Sequence, residues 1–421
     1  MRVKIGQGDI WIWLYLYLTF QTLFQSITTG IVNRVVQYSD DLIVILLLIW
    51  VVFWTIKGKI HFSKTEGKFL IPFAFFEVIG IVCGVFSEYN GVSAVFLDAF
   101  TCAKFIIIFL SSWKLSENRI NDQLILKMNR LCQVIAVLFF ALTLHELFFE
   151  PFWQKAEYRY FTQSIQLFFS HPEGLARASF SFILPLMYNM KYHKKNIPYI
   201  LMLCFVMVFT FRSKSIAAML VILMVYFYKK ILKGKHLIVF MAMIGIIVLI
   251  VGADQMKYYY SHALIGRTKL LTDAVVLANV KFPFGTGFGS FGSNVALDYH
   301  SLLYEAMGYF NQENPWAVRA FLNDAFWPIP VAQTGWIGTF FFVIALIELT
   351  KMGVNYYRKD FYISWVFISV VMYDLISTPA SSAFFHPIAL SSYLFVGLLI
   401  SKRKEILNED SVYFSKRRSQ S

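Results

Sequence analysis

The amino-acid sequence predicts an all-α polytopic integral membrane protein with about 12 transmembrane helices and one large outward-facing loop. Of the 421 residues, 58% are hydrophobic and only 15% are charged, and the apolar residues form long runs. A soluble globular protein typically carries about 25% charged residues. We therefore expect residues 1–421 to form a single transmembrane domain without a separate soluble domain.

Twelve apolar runs approach the roughly 20 residues that a helix needs to cross the hydrocarbon core of a bilayer. Two connections between them are long: residues 254–327 form the large loop after the ninth run, and a second long loop precedes the run 174–190. The runs lie near residues 10–32, 41–56, 68–86, 92–112, 130–149, 174–190, 197–211, 215–231, 237–253, 328–349, 361–376 and 384–400.

The distribution of basic residues predicts the orientation of these spans. Of the 38 Lys and Arg residues, 26 lie in the set of connections that includes both termini, and 11 lie in the alternate set, which contains the longest loop. The positive-inside rule places the richer set in the cytoplasm. Both termini, including the basic tail 401–421, are expected there, and loop 254–327 faces outward. The net charge of +13 therefore reflects topology and does not indicate nucleic acid as a partner.

The outward loop contains PFGTGFGSFG, residues 283–292, in which GFGSFG matches the dinucleotide pattern G-x-G-x-x-G. No βαβ unit surrounds this motif and the loop faces away from cytoplasmic nucleotides, so a dinucleotide site is excluded. Two interpretations remain. The glycines let the backbone bend tightly, or the N–H groups of Gly285, Gly287 and Gly289 face an anionic ligand outside the membrane.

Three outward segments have apolar residues at helical spacing: TKLLTDAVVLANV (268–280), SLLYEAMGYF (301–310) and RYFTQSIQLFF (159–169). This spacing predicts amphipathic helices that lie at the interface or pack over the bundle. Loops longer than about 15 residues are usually functional or disordered. Ordered caps over the bundle favour a site at its outer face.

Cations are scarce on the predicted outer side. Arg212 and Lys214 lie in FRSKS, a tight turn between two apolar runs, Arg267 opens the segment 268–280, and Arg177 lies near the start of a span. Several arginines near one outer vestibule would suit a pyrophosphate, because guanidinium binds phosphate oxygens in a fork. The alternatives are a snorkelling side chain for Arg212 and a solvated helix face for Arg267.

Several titratable residues could act in chemistry or in structure. Inside the spans, we expect polar contacts within the bundle at Glu77, Asp98, Lys104 and Asp374. No H-E-x-x-H or C-x-x-C motif indicates a metal, and no cofactor is expected. Candidate bases on the outer side, each with a structural role as the alternative, are His171, His262, His300, His386, Asp298, Asp324, Glu305 and Glu313.

Four pieces, in order over roughly residues 170–350, resemble the superfamily of O-antigen polymerases and ligases. They are HPEGLARASF before a span, the turn FRSKSIAAML, the loop motifs GRTKLLTDAV and PFGTGFGSFG, and the return segment NDAFWPIPVAQTGWIG. The resemblance implies a metal-independent glycosyltransferase of the membrane-embedded class C type in the bacterial inner (plasma) membrane. It also implies undecaprenyl-pyrophosphate-linked oligosaccharides as donor and acceptor, and a polysaccharide chain-length regulator as a possible protein partner.

The resemblance also implies roles for individual residues. By position, Arg212 and Arg267 match the family's pyrophosphate-binding arginines, and Lys214 and Arg177 are further candidates for the same ligand. A base in the large loop would deprotonate the acceptor hydroxyl, and either Asp324 or His300 could serve. The turn reads RSKS where the family often has S-R-G. The position at which ligases carry a His reads Leu-Asn-Asp (322–324), and this departure favours a polymerase over a ligase.

The expected function is therefore that of a Wzy-type polymerase, which joins lipid-linked repeat units into O-antigen, capsule or exopolysaccharide at the outer face of the membrane. One alternative is a ligase that transfers the glycan to another acceptor. Another is a transporter or flippase of lipid-linked sugars, which twelve spans would suit. Such transporters usually show repeat symmetry and a site at the bilayer midplane, whereas the polar features here gather at the outer face.

Overall fold

The computed structural model is built of helices, apart from one pair of two-residue strands among the residues it describes. This agrees with the predicted helical class. The residues described are 8–117, 122–153, 158–159, 162–192, 194–231, 266–311, 322, 325–356 and 360–401.

The elements follow one another along the chain with few long connections. The α-helices are α1 (Asp9–Ile27), α2 (Gly30–Gln37), α3 (Ser39–Ile56), α4 (Lys64–Ser87), α5 (Val92–Ser116), α6 (Asp122–Phe148), α7 (Pro172–Asn189), α8 (Ile197–Phe209), α9 (Ser213–Ile231), α10 (Arg267–Val280), α11 (Asn294–Asp298), α12 (Leu302–Ala306), α13 (Thr334–Asn355), α14 (Phe361–Ser377) and α15 (Pro387–Ser401). Strands β1 (Tyr158–Arg159) and β2 (Thr162–Gln163) pair antiparallel. A π-helical turn, Ile329–Gln333, leads into α13, and 3-10 turns are formed by Lys194–Asn196, Thr378–Ala380 and Ala383–Phe385.

Six helical segments in the described part of the chain are long and apolar enough to cross a membrane. They are α3, α4, α5, α6, the continuous segment Ile329–Asn355 and the segment Phe361–Ala380. Shorter apolar helices are found at Ile197–Phe209, Ser213–Leu223 and Pro387–Ser401. The protein thus has the character of a helical membrane protein. The number of twelve spans stays a prediction, and the predicted run 237–253 lies outside the described residues.

The spanning helices differ in how deeply they lie in the bundle. In α5 and α14, 56% and 72% of the most apolar stretch is buried, against 22% in α3. Apolar side chains on α3 such as Leu46 and Ile49 are exposed, as expected for a helix that faces lipid. α13 packs mainly on α4, α14 packs on α9, and α7 packs on α6 and α8. Helices α7 and α14 carry three of the charged groups discussed below, Glu173, Arg177 and Asp374.

Local sequence signals begin the helices that carry those groups. His171 precedes α7 and its ring Nδ1 accepts the Glu173 N–H at 3.2 Å, while Pro172 occupies the first turn, where no N–H is needed. Asp360 caps α14 by accepting the N–H groups of Tyr362 and Ile363. These signals hold both helices in register at positions that bring their polar residues together.

The glycine-rich segment 284–292 packs inside the protein, against α4, α5 and the start of α13. Gly287 has φ +88°, and a Cβ atom there would overlap the backbone of Gly84. The Phe288 ring lies against Gly80 and makes an edge-to-face contact with Phe76, with ring centroids 5.5 Å apart. The glycines therefore permit close approach of the segment to α4, in line with the interpretation of a tight backbone bend.

The structure contains helices in two of the three predicted outer segments. In the third, the described residues are not helical. The spacing in 268–280 is confirmed by α10, and 301–310 contains the short α12. The prediction for 159–169 is wrong, because strands β1 and β2 and irregular backbone occupy the described part of this segment. The Ile165 N–H donates to the Phe209 carbonyl at the end of α8, and Leu167 has φ +49°. The backbone is thus held by a neighbouring element and cannot continue as a helix.

Candidate functional site

Charged side chains gather at one end of the bundle, which the distribution of basic residues predicts to be the outer end. The start of α7, the turn before α9 and the residues that follow α14 meet there. The start of α10 joins them, since Arg267 at its first position interacts electrostatically with Lys214. The four cations predicted to bind pyrophosphate are therefore brought together. We call Arg177, Arg212, Lys214 and Arg267 the cation cluster.

Arg177 is the buried member of the cation cluster, with 2% of its surface exposed. Its Nε donates to Glu173 Oε1 at 3.1 Å, its Nη1 to Asp374 Oδ1 at 3.0 Å, and its Nη2 to Ser381 Oγ at 3.1 Å. Its guanidinium also lies over the Tyr373 ring, 5.4 Å from the centroid. These contacts join α7 to α14 and to the turn after it. Arg177 therefore fixes the relative positions of the elements that form the site.

Glu173 links Arg177 to Lys214. The Lys214 ammonium lies 2.6 Å from Glu173 Oε1 and donates to the Ala380 carbonyl at 3.0 Å. Glu173 precedes the apolar run predicted for residues 174–190. Although burial raises the pKa of the Glu173 carboxyl, Lys214 and Arg177 more than offset this effect and hold the pKa well below its usual range. Glu173 is therefore a carboxylate at neutral pH and fixes the position of Lys214.

Arg212 is the member that lies nearest to the surface loop before α7. Its Nη2 lies 3.0 Å from Nε2 of His171, whose side chain is exposed. Arg212 itself is half-buried in the turn between α8 and α9, where Phe211 adopts φ +48°. Another histidine, His386, is close enough to interact electrostatically with Arg177, Glu173 and Lys214. The cation cluster thus combines buried, internally bonded groups with groups that border the surface.

The glycine backbone uses its N–H groups inside the protein. The N–H of Gly285 donates to the Lys281 carbonyl at 3.0 Å, and that of Gly287 donates to the Gln333 carbonyl at 2.7 Å. The N–H of Gly289 donates to Asp98 Oδ2 at 2.8 Å. All three groups are bonded to the protein itself, so we assign these glycines a packing role and look for anion recognition elsewhere.

Of the two candidate bases, the structure describes only His300. Asp324 lies outside the described residues. His300 is exposed, with φ +51°, and its ring lies 6.0 Å from that of Phe310. Asp298, two residues before it, is exposed; partial desolvation raises the pKa of that carboxyl, and His300 opposes the effect. Leu302, two residues after His300, donates its N–H to the carbonyl of Tyr89 in the α4–α5 connection. His300 therefore lies beside this connection.

The polar contacts expected inside the bundle are found for three of the four residues. Asp98 accepts from Ser293 Oγ at 2.8 Å as well as from Gly289, whereas Lys104 donates to Asp40 at 2.9 Å. Asp374 binds Arg177, as described above. Glu77 has one buried carboxyl oxygen without a hydrogen-bond partner. Among the described residues, no group of three or more His, Cys, Asp or Glu side chains could hold a metal ion.

Sequence reasoning missed the importance of Glu173 and underestimated His171. The spacing E-x-x-x-R at 173–177 was a usable signal, because residues four apart on a helix face each other. The contacts of His171 with Arg212 and of Arg177 with Asp374 join residues 41 and 197 positions apart. No local pattern predicts pairing over such separations.

Comparison with known proteins adds no assignment. No protein-family model matches the sequence, and no curated protein matches it. The function of the chain must therefore be inferred from its own residues.

Proposed function

We propose that this chain is a membrane glycosyltransferase that polymerises undecaprenyl-pyrophosphate-linked oligosaccharide units at the outer face of the bacterial plasma membrane. The observation that carries the proposal is the cation cluster, which collects four cations from distant parts of the chain at one end of an apolar bundle. Cations near the membrane are costly unless they are paired or have a ligand. A pyrophosphate is the ligand that suits several cations at once.

The charge balance of the site supports a pyrophosphate. Among the described residues, the four cations of the cluster are accompanied by the two carboxylates Glu173 and Asp374. The formal excess is two positive charges, and a pyrophosphate that links a lipid to a sugar carries roughly two negative charges at neutral pH.

An apolar groove near the cation cluster supports a lipid-linked ligand. The groove has a volume of about 410 Å³ and runs along α13, lined by residues that include Trp327, Leu346 and Leu375. The Trp327 Nε1–H donates to Thr378 Oγ1 at 3.0 Å, and the nearby Ser381 binds Arg177. Trp327 thus connects the groove to the 3-10 turn Thr378–Ala380, which leads to Ser381, and we propose that the polyprenyl chain of the ligand occupies this groove.

The proposed reaction is transfer of a glycan from the pyrophosphate to a sugar hydroxyl. The hydroxyl oxygen of the acceptor unit bonds to the anomeric carbon of the donor glycan, while the bond from that carbon to the pyrophosphate oxygen breaks. The electron pair remains on the pyrophosphate, where fixed cations stabilise the developing charge. The hydroxyl proton passes to a base, for which Asp324 is the first candidate and His300 the second.

The experiment that tests this function uses a strain in which the gene is deleted, with its surface glycan separated on a gel. The proposal predicts a single repeat unit on the lipid acceptor and no ladder of longer chains, and restoration of the ladder by the wild-type gene. Full-length polymer that stays on undecaprenyl pyrophosphate would instead indicate a ligase. Repeat units that never reach the outer face would indicate a flippase and contradict the proposal.

A further inference from the structure

His386 lies where the chain enters α15, and its ring caps that helix. It directly precedes Pro387, the first residue of α15. Its ring Nδ1 accepts the backbone N–H of Ile388 at 3.2 Å, as a capping side chain does in the first turn of a helix. Pro387 has no N–H, and the Ala389 N–H donates to the His386 carbonyl at 2.9 Å. These first N–H groups of α15 are therefore used within the protein.

The turn before His386 is bonded to the cation cluster. Ser381 Oγ accepts from Arg177 at 3.1 Å, and the Ala380 carbonyl accepts from Lys214 at 3.0 Å. Both acceptors lie a few residues before His386 in the chain. The turn that leads to His386 therefore cannot shift without breaking contacts of two members of the cluster.

The first turn of α15 lies against the same cations. Ile388 and Ala389 line a cavity together with Arg177, and its volume of only about 10 Å³ means that these surfaces almost touch. The ring of His386 interacts electrostatically both with the buried Arg177 and with the exposed His171. His386 thus lies between the buried and the exposed sides of the site.

The cap determines which nitrogen of His386 carries a proton. A backbone N–H only donates, so Nδ1 must be unprotonated in order to accept it. The ring is then neutral, with its proton on Nε2, because the bond made by one ring nitrogen determines the state of the other. In the part of the chain that the structure describes, Nε2 has no hydrogen-bond partner, and the side chain is half-buried.

Two consequences follow from this tautomer. The Nε2–H group points away from α15 and is a donor that a ligand at the cation cluster can use. Sequence reasoning also made His386 a candidate base. A nitrogen that already holds a proton cannot accept one, so His386 is a donor in this site and the base must be another residue.

We propose that His386 binds the pyrophosphate of the lipid-linked donor through Nε2–H and extends the positive end of α15 to that ligand. This assignment rests on the proposed function and adds a neutral donor to the cations of the site. The bond from the Ile388 N–H polarises the imidazole and strengthens the donor at Nε2, and the N-terminus of a helix attracts negative charge.

The contact gains strength during the proposed reaction. As the bond from the anomeric carbon to the pyrophosphate oxygen breaks, negative charge grows on the pyrophosphate, and the hydrogen bond from Nε2 becomes stronger. His386 transfers no proton in this role. The proton of the acceptor hydroxyl still passes to the base.

Two substitutions separate the donor from the cap. In His386→Asn, the amide oxygen takes the place of Nδ1 and keeps the cap, but the shorter side chain has no donor at the position of Nε2. In His386→Gln, the amide nitrogen lies near the position of Nε2, but the cap is lost. The affinity of the full-length protein for undecaprenyl pyrophosphate would be measured in lipid nanodiscs, together with its melting temperature.

The two variants should show opposite effects. His386→Asn should bind about tenfold more weakly at an unchanged melting temperature, as for loss of one hydrogen bond to a charged group. His386→Gln should keep nearly wild-type affinity, with a melting temperature lowered by roughly 2 °C for the lost cap. The matched control is His145→Asn on α6, where the ring stacks on Phe152 with centroids 4.0 Å apart; its affinity should equal that of the wild type.

Three results would contradict the account at different levels. Wild-type affinity in His386→Asn would overturn the binding role and leave only the cap. Equal losses of affinity in both variants would also overturn it, because a donor near the position of Nε2 would then fail to restore binding. In both cases, weaker binding by Arg212→Ala would leave the proposed function intact. If the folded wild type does not bind undecaprenyl pyrophosphate, the proposed function itself fails.

Discussion

The glycine-rich segment 284–292 and the cation cluster look alike in sequence, since both offer groups that could bind an anion, but they differ in how their polar groups are used. The N–H groups of Gly285, Gly287 and Gly289 all donate to acceptors within the protein. In the cation cluster, four cations meet two described carboxylates, and Arg212 Nη2 lies 3.0 Å from His171 Nε2. Backbone N–H groups that are hydrogen-bonded within the protein indicate a packing role. A cluster of cations with fewer carboxylates favours an anion-binding site.

The same contrast exists within the cation cluster. Arg177 is buried, and three polar partners and an aromatic ring surround its guanidinium. Arg212 and Arg267 are half-buried at the edge of the site. The account therefore predicts that substitutions will separate into losses of folding and losses of activity, and the following tests would break or sharpen that division.

The largest effect is expected for Gly287→Ala. The new Cβ would overlap the Gly84 backbone, and the residue would have to keep φ +88°. We expect almost no folded protein in membranes, measured by fluorescence-detected size-exclusion chromatography of a tagged chain. Gly58→Ala is the matched control, because Gly58 also has positive φ (+66°) but no atom lies within 4 Å of the added Cβ. Equal amounts of both folded variants would contradict a packing role for the segment.

Arg177→Ala is expected to destabilise the protein by about 3–5 kcal/mol, because the buried Asp374 carboxylate loses its cation and Glu173 keeps only Lys214. Thermal unfolding in detergent would measure the loss. The control is Lys127→Ala, which breaks an ion pair with Asp9 in which the lysine side chain is 57% exposed; such pairs contribute about 1 kcal/mol or less. If Arg177→Ala were stable but inactive, this would contradict a structural role for Arg177 and assign it to ligand binding.

Arg212→Ala and Arg267→Ala should each leave the amount of folded protein near that of the wild type and abolish the ladder of glycan lengths. Lysine at either position should restore elongation only in part, since a point charge lacks the fork geometry of guanidinium. Lys127→Ala, which removes an exposed cation from an ion pair with Asp9, is the control and should give a full ladder. Normal ladders from both arginine variants would contradict the assignment of Arg212 and Arg267 to a pyrophosphate site.

The smallest effect is expected at His300. If Asp324 is the base, Asp324→Asn inactivates the protein and His300→Ala reduces elongation only slightly, because His300 lies beside the α4–α5 connection. Replacement of His300 by Gly should leave stability unchanged or raise it by less than about 1 kcal/mol, since glycine adopts φ +51° without strain. Initial rates of polymer formation from both single variants give the comparison. An inactive His300→Ala beside an active Asp324→Asn would assign the base to His300.

Much of this organisation follows from the sequence. Apolar runs predict the helical membrane class, helical spacing predicts α10, and the scarcity of outer cations singles out Arg212 and Arg267 as candidates for the site. The failures have physical causes. The segment 159–169 has helical spacing, but its backbone bonds to Phe209 instead. The acceptors of the glycine N–H groups are distant in sequence: Asp98, which accepts from Gly289, is 191 residues away. The sequence therefore gives no sign that these N–H groups are bonded within the protein.

The most direct test of the central claim is a reconstitution with one lipid-linked repeat unit as the only glycan. Purified wild-type protein in liposomes, without nucleotide sugars, should convert the units into chains of increasing length, and the double variant Arg212→Ala/Arg267→Ala should form none although it is folded. Chains of equal length from both proteins would show that the cation cluster does not carry the reaction. The absence of chains from a folded wild-type protein would contradict polymerisation itself.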